Sequence, residues 1–118
     1  MHGLPPDADL SFLLGAQLIQ VCIGENETIL RLHPDVSIMI ASQVCASGED
    51  GRVTTLDESR DVGAALLSVL GAQIIDAKLV PPGTLRLAWS SGVVVDVVDS
   101  WPDYGSYTIE HGDAVIVV

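Results

Sequence analysis

The chain has 118 residues, five basic against sixteen acidic, for a net charge of −11 at pH 7, and 48% of its residues are hydrophobic. That length suits one domain, residues 1–118, and a mean hydropathy of +0.44 predicts a packed core rather than a disordered chain. The acidity excludes nucleic acid and anionic membrane surfaces as partners, because both call for a basic face.

The first residues, Met1-His2-Gly3-Leu4-Pro5-Pro6-Asp7, lack the basic and apolar regions of a secretory signal, so a cytoplasmic location is the default expectation. Asp9 is placed to cap a brief turn through Leu10-Ser11-Phe12-Leu13-Leu14, which Gly15 stops. Ile19, Val21 and Ile23 then alternate with Gln20 and Cys22, the period of a half-buried strand. Gly24-Glu25-Asn26-Glu27 is a turn, and the return strand places Leu30 and Leu32 on one face and Arg31 on the other. A third strand is expected around residues 36–41, and a hairpin around Gly48-Glu49-Asp50-Gly51.

Thr55-Leu56-Asp57-Glu58 reads as a capping box. The helix it opens, about residues 56–70, carries Val62, Ala65, Leu66, Val69 and Leu70 on one face, and Gly71 stands where a left-handed terminal residue is wanted. Residues 62–75 are interrupted by Gly63, Ser68, Gly71 and Gln73 and are too short for a membrane span, which takes about 20 apolar residues. Ile75, Ala77 and Leu79 alternate with Asp76 and Lys78, and Val80-Pro81-Pro82-Gly83 turns into a strand with Leu85, Leu87 and Trp89 on one face. Strands are also expected at 93–98, 104–110 and 114–118.

Two halves of this chain echo each other. Leu13-Leu14-Gly15-Ala16-Gln17-Leu18-Ile19 returns as Val69-Leu70-Gly71-Ala72-Gln73-Ile74-Ile75. Thr28-Ile29-Leu30-Arg31-Leu32 matches Thr84-Leu85-Arg86-Leu87 with one extra residue, and Ser37-Ile38-Met39-Ile40 matches Gly92-Val93-Val94-Val95. Two copies are too few for a solenoid. The reading is an α+β domain with a mostly antiparallel sheet, one main helix, and two helix-strand-strand-strand halves at about 13–41 and 69–97. The third strands are apolar on both faces, so they need cover on both sides, from sheet closure or from a second chain in a homodimer.

Chemistry-bearing motifs are sparse. His2, His33 and His111 show no zinc spacing. Cys22 and Cys45 lack C-x-x-C and metal spacing and read as free thiols, and neither has a basic or histidine neighbour in sequence to activate it; His33 across a hairpin from Cys22 is the one spatial partner to consider. No Gly-x-Ser-x-Gly or phosphate loop is present. The expectation is therefore no enzyme, no cofactor and no metal site. The densest polar cluster joins Asp96, Asp99 and Asp103 to Trp101, Tyr104 and Tyr107. Turn-capping aspartates account for much of it. Its functional reading is a contact patch of Asp99, Trp101, Asp103, Tyr104 and Tyr107 for a basic protein, since aromatic anchors in a charged rim are common in interfaces.

The combination of Leu70-Gly71, Thr84-Leu85-Arg86-Leu87, Gly92-Val93-Val94-Val95 and Asp103-Tyr104-Gly105-Ser106-Tyr107 resembles a family of small bacterial proteins of unknown function. The resemblance covers most of the chain; Gly105 departs from it, an acidic residue being usual before the serine. It implies the fold first, and, through members similar to immunity proteins of toxin systems, an inhibitor of a basic toxin. Two functional expectations stand: an acidic protein-binding module of that kind, and a small-molecule-binding or enzymatic domain with a pocket between the halves.

Overall fold

A computed structural model describes residues 10–48, 50–80, 83–98, 107–112 and 114–117. A short 3-10 helix, Ser11–Leu13, opens them. Strands β1 (Gln17–Ile23), β2 (Thr28–His33) and β3 (Val36–Ile40) follow as an antiparallel meander. The hairpin β4 (Val44–Ser47) and β5 (Val53–Leu56) leads to α1 (Ser59–Leu66), which tightens into a 3-10 turn, Leu67–Val69. A second meander, β6 (Ile74–Val80), β7 (Thr84–Trp89) and β8 (Val94–Val97), precedes β9 (Tyr107–His111) and β10 (Ala114–Val117).

The fold is α+β, and among the described residues the strands form two antiparallel sheets. Their orders are β1-β2-β3-β9-β10 and β5-β4-β8-β7-β6. Each meander is thus completed by a hairpin that follows the other meander in sequence: β9 pairs with β3, and β4 with β8. The sheets are stitched where their edge strands begin. Gln17 and Gln73 form an antiparallel bridge. Around it, Gly15 N donates to Ile74 O and Gly71 N to Leu18 O, both at 2.8 Å. Leu18 N donates to Ala72 O at 3.0 Å and Ile74 N to Ala16 O at 2.9 Å. Every bond in this set has a counterpart fifty-six residues away, the separation of Gly15 from Gly71. Those two glycines have φ of 82° and 90°, the left-handed region that residues with a Cβ avoid.

One core takes Leu18, Leu30, Leu32, Ile38, Ile40 and Ile109 from the first sheet and Ile74, Leu85, Leu87, Trp89, Val95 and Val97 from the second. Each such side chain contributes about 1.5–3 kcal/mol on full burial. The helix closes the core with Val62, Leu66 and Val69, the face read from their spacing.

Several expectations are corrected. The helix starts at Ser59, not near 56, because Thr55 and Leu56 are taken up by β5 pairing with Cys45 and Val44. The N-cap is Glu58, with no side-chain cap bond, so the capping box does not form. Leu70 lies past the helical turns and is half exposed. Register shifts between Leu18 and Gln20, and between Ile74 and Asp76, mark β-bulges. They turn Ile19 and Ile75 outward, against the simple alternation. Met39 is exposed on the outer face of β3, so that strand is covered on one side. In the ladders Val21 faces Leu30 and Ala77 faces Leu87, which sets Leu30 in the place of Leu87 rather than of Leu85.

Candidate functional site

Tyr107 is the one residue of the expected contact patch that the structure describes. It begins β9 opposite Ile40, is fully buried, and its hydroxyl donates to Gly83 O at 2.9 Å. This corrects its assignment: alternation along β9 turns Tyr107 and Ile109 into the core, so Tyr107 is not a surface contact. Asp99, Trp101, Asp103 and Tyr104 lie outside the described residues.

One acidic surface lies among the described residues. The β1–β2 turn and the start of α1 enclose a groove of about 410 Å³ lined by Glu25, Asn26, Ala41, Asp57, Glu58, Ser59 and Arg60. Its walls are tied together. The Ser59 hydroxyl donates to Gly24 O at 2.6 Å and to Glu25 O at 3.0 Å, and Thr28 Oγ1 donates to Ser59 O at 2.9 Å. Gln43 Nε2 donates to Asp57 Oδ1 at 2.9 Å. Arg60 is the sole cation of the lining, and it meets Glu58 at 3.7 Å with both side chains largely in solvent. Asp61 follows in the first turn of α1, where a carboxylate also suits the helix dipole. Reading along the chain misses this site because Glu25 and Asp57 are thirty-two residues apart in sequence. The signal in the sequence is two short acidic runs flanking turns.

The other candidates scatter. Gln17, not Cys22, faces His33 across the β1–β2 hairpin, while Cys22 faces Ile29. Cys45 Sγ lies 3.7 Å from Thr55 Oγ1. Asp96 is held by Arg86, whose Nε and Nη2 donate to its two carboxylate oxygens at 2.8 and 2.9 Å. The hydrogen bond and the charge of Asp96 together raise the Arg86 pKa above its ordinary value. No group of three His, Cys, Asp or Glu side chains able to hold a metal occurs among the described residues, nor a helix long and apolar enough to cross a membrane. Around the Gln17–Gln73 bridge, Leu14, Ile19, Leu70 and Ile75 are each half exposed or more. A cleft between α1 and the β4–β5 hairpin adds an apolar concavity.

Comparison with protein-family models, with curated proteins and with solved structures returned no match.

Proposed function

We propose that the protein is an acidic protein-binding module, not an enzyme, whose partner is a basic protein. The observation that carries this reading is the groove between the β1–β2 turn and α1. Glu25, Asp57 and Glu58 line it, Asp61 follows in the first turn of α1, and hydrogen bonds hold its walls. On a chain of −11 net charge, such a surface attracts cationic partners, speeds encounter and disfavours anionic competitors. The finer reading is an inhibitor that meets a basic toxin, drawn from the sequence resemblance to a family of unknown function with members similar to immunity proteins, and Asp99, Trp101, Asp103 and Tyr104 remain its proposed aromatic-acidic contacts. The cytoplasm remains the proposed location.

The test is affinity capture from source cells with the parent chain and with a Glu25→Gln/Asp57→Asn/Glu58→Gln variant, the captured protein being identified by mass spectrometry. A basic partner held by the parent chain, released by salt and captured more slowly by the variant supports the reading. A partner that is acidic, or that binds both chains alike at every salt concentration, overturns it.

A second reading, self-association, is favoured by one specific observation. Leu14, Ile19, Leu70 and Ile75 form two pairs, each fifty-six residues apart, about the Gln17–Gln73 bridge, and residues 11–24 and 62–75 carry no charge. A surface repeated about its own centre suits the same patch on a second copy. An Ile19→Glu/Ile75→Glu variant that stays folded and turns a dimer into a monomer in light scattering supports this. A parent chain that is already monomeric at high concentration removes it.

A further inference from the structure

We propose that the cleft between α1 and the β4–β5 hairpin is a binding site for a small planar aromatic molecule. The cleft measures about 330 Å³, within the range of small-molecule sites, about 300–1,000 Å³. Val44, Leu66 and Val95 supply apolar walls, and Gly48, Arg52 and Ser68 also line it. It shares no lining residue with the acidic groove, so it stands independently of the reading above.

The other sheet has a matching corner. Gly15 and Gly71 are equivalent through their reciprocal backbone bonds, which sets Phe12 against Ser68, each three residues before its glycine. On the strand side, Ile109 pairs with Ile38, which faces Leu30, while Ala46 pairs with Val95, which faces Leu87. Leu30 and Leu87 hold the same place in their ladders. Ile109 therefore corresponds to Ala46, and two residues further on His111 corresponds to Gly48. In the first sheet this corner is filled: the rings of Phe12 and His111 stack with centroids 4.6 Å apart and planes 6° from parallel. In the second sheet a hydroxymethyl and a hydrogen stand at those two positions, and the cleft opens between them. The protein fills one corner with two flat rings of its own and leaves the other empty.

A flat ring system restores in the second corner the stacking and dispersion contacts that Phe12 and His111 supply in the first. Arg52 reinforces the choice. Its guanidinium makes no ion pair among the described residues, and a guanidinium stacks favourably on an aromatic face. Beside it, Asp50 Oδ1 accepts from Arg52 N at 3.0 Å and Gly51 N donates to Gly48 O at 3.0 Å.

The experiment is a titration of the full ¹⁵N-labelled chain with naphthalene-2-carboxylate, tracked by amide chemical shifts. Saturable shifts are expected at Gly48, Arg52, Ser68 and Val95, with a Kd of about 1 mM or tighter for a probe of that size. Ser68→Phe and, separately, Gly48→His put back one ring of the filled corner, and each is expected to weaken binding at least about tenfold. Gly48 admits a side chain, since a Cβ there meets only Asp50 Oδ1 at 3.4 Å. That keeps the test open if Ser68→Phe fails to fold. The absence of saturable shifts at these amides, or a folded ring-bearing variant that binds as tightly as the parent chain, overturns the proposal.

Discussion

Gln17 of β1 and Gln73, one residue before β6, form the bridge at which the two sheets join, and each lies between a left-handed glycine and a buried aliphatic residue. The bonds around this bridge are reciprocal, and each meander is completed by the hairpin that follows the other. We propose that this reflects a duplicated half whose copies exchange their hairpins. On that proposal the halves are interdependent, because β3 pairs with β9 and β8 with β4, and each would otherwise have a bare edge.

A chain divided in the exposed loop after β5 tests that reading. Fragments 1–57 and 58–118, co-expressed with a tag on one, are expected to co-purify as a one-to-one complex, while either alone aggregates. Fragments that fold separately as monomers, or that do not associate, count against exchanged halves.

Gly63 faces Ile23 so closely that a Cβ at 63 would collide with Ile23 Cγ1 and Cδ1. In an open helix Gly→Ala gains about 0.8–1 kcal/mol. Here the stiff β-branched side chain of Ile23 resists displacement, and overpacking costs about 1–3 kcal/mol. Gly63→Ala is expected to lower stability by about 1 kcal/mol in urea melts, and to become neutral or stabilising in an Ile23→Ala background. A gain in the parent background shows that the contact is loose.

The helix face of Val62, Leu66 and Val69, the meander strands and the glycine turns are legible in the sequence because they are local, and periodicity with turn chemistry reads them directly. Ile19 and Ile75 defy alternation because one bulged residue reverses the face of its successors in the strand. Thr55 reads as a cap in sequence because its claim on Cys45 as a strand partner is a tertiary fact. The acidic groove is invisible along the chain for the same reason: Glu25 and Asp57 meet only when the β1–β2 turn docks on α1. Tyr107, beside acidic neighbours in sequence, belongs by strand phase to the core.

Arg86 and Asp96 face each other directly across β7 and β8, and their two-point contact lies partly in solvent. A double-mutant cycle with Arg86→Met and Asp96→Asn is expected to give a coupling near the upper end of exposed pairs, about 1 kcal/mol, because the geometry is bidentate. The pairing raises the Arg86 pKa. Stability from a raised guanidinium is full below its unfolded value and is lost only as pH rises through the higher folded value. The Arg86 contribution is therefore expected to stay constant between about pH 6 and 9. A coupling under about 0.2 kcal/mol marks the pair as energetically silent.

Tyr107 links the sheets, since its ring lies in the core beside β3 and its hydroxyl reaches Gly83, at the entry to β7. Tyr107→Phe keeps the ring and its buried apolar area but leaves the buried Gly83 carbonyl without this donor. An acceptor stripped in this way costs about 1–3 kcal/mol. The variant is expected to lose about 1–2 kcal/mol in urea melts while capturing a basic partner at the parent rate. The opposite pattern, unchanged stability with faster loss of the partner, would place the Tyr107 hydroxyl at the interface and return it to the contact patch. Measuring both quantities on this one variant therefore separates a residue that holds the sheets together from one that holds a partner.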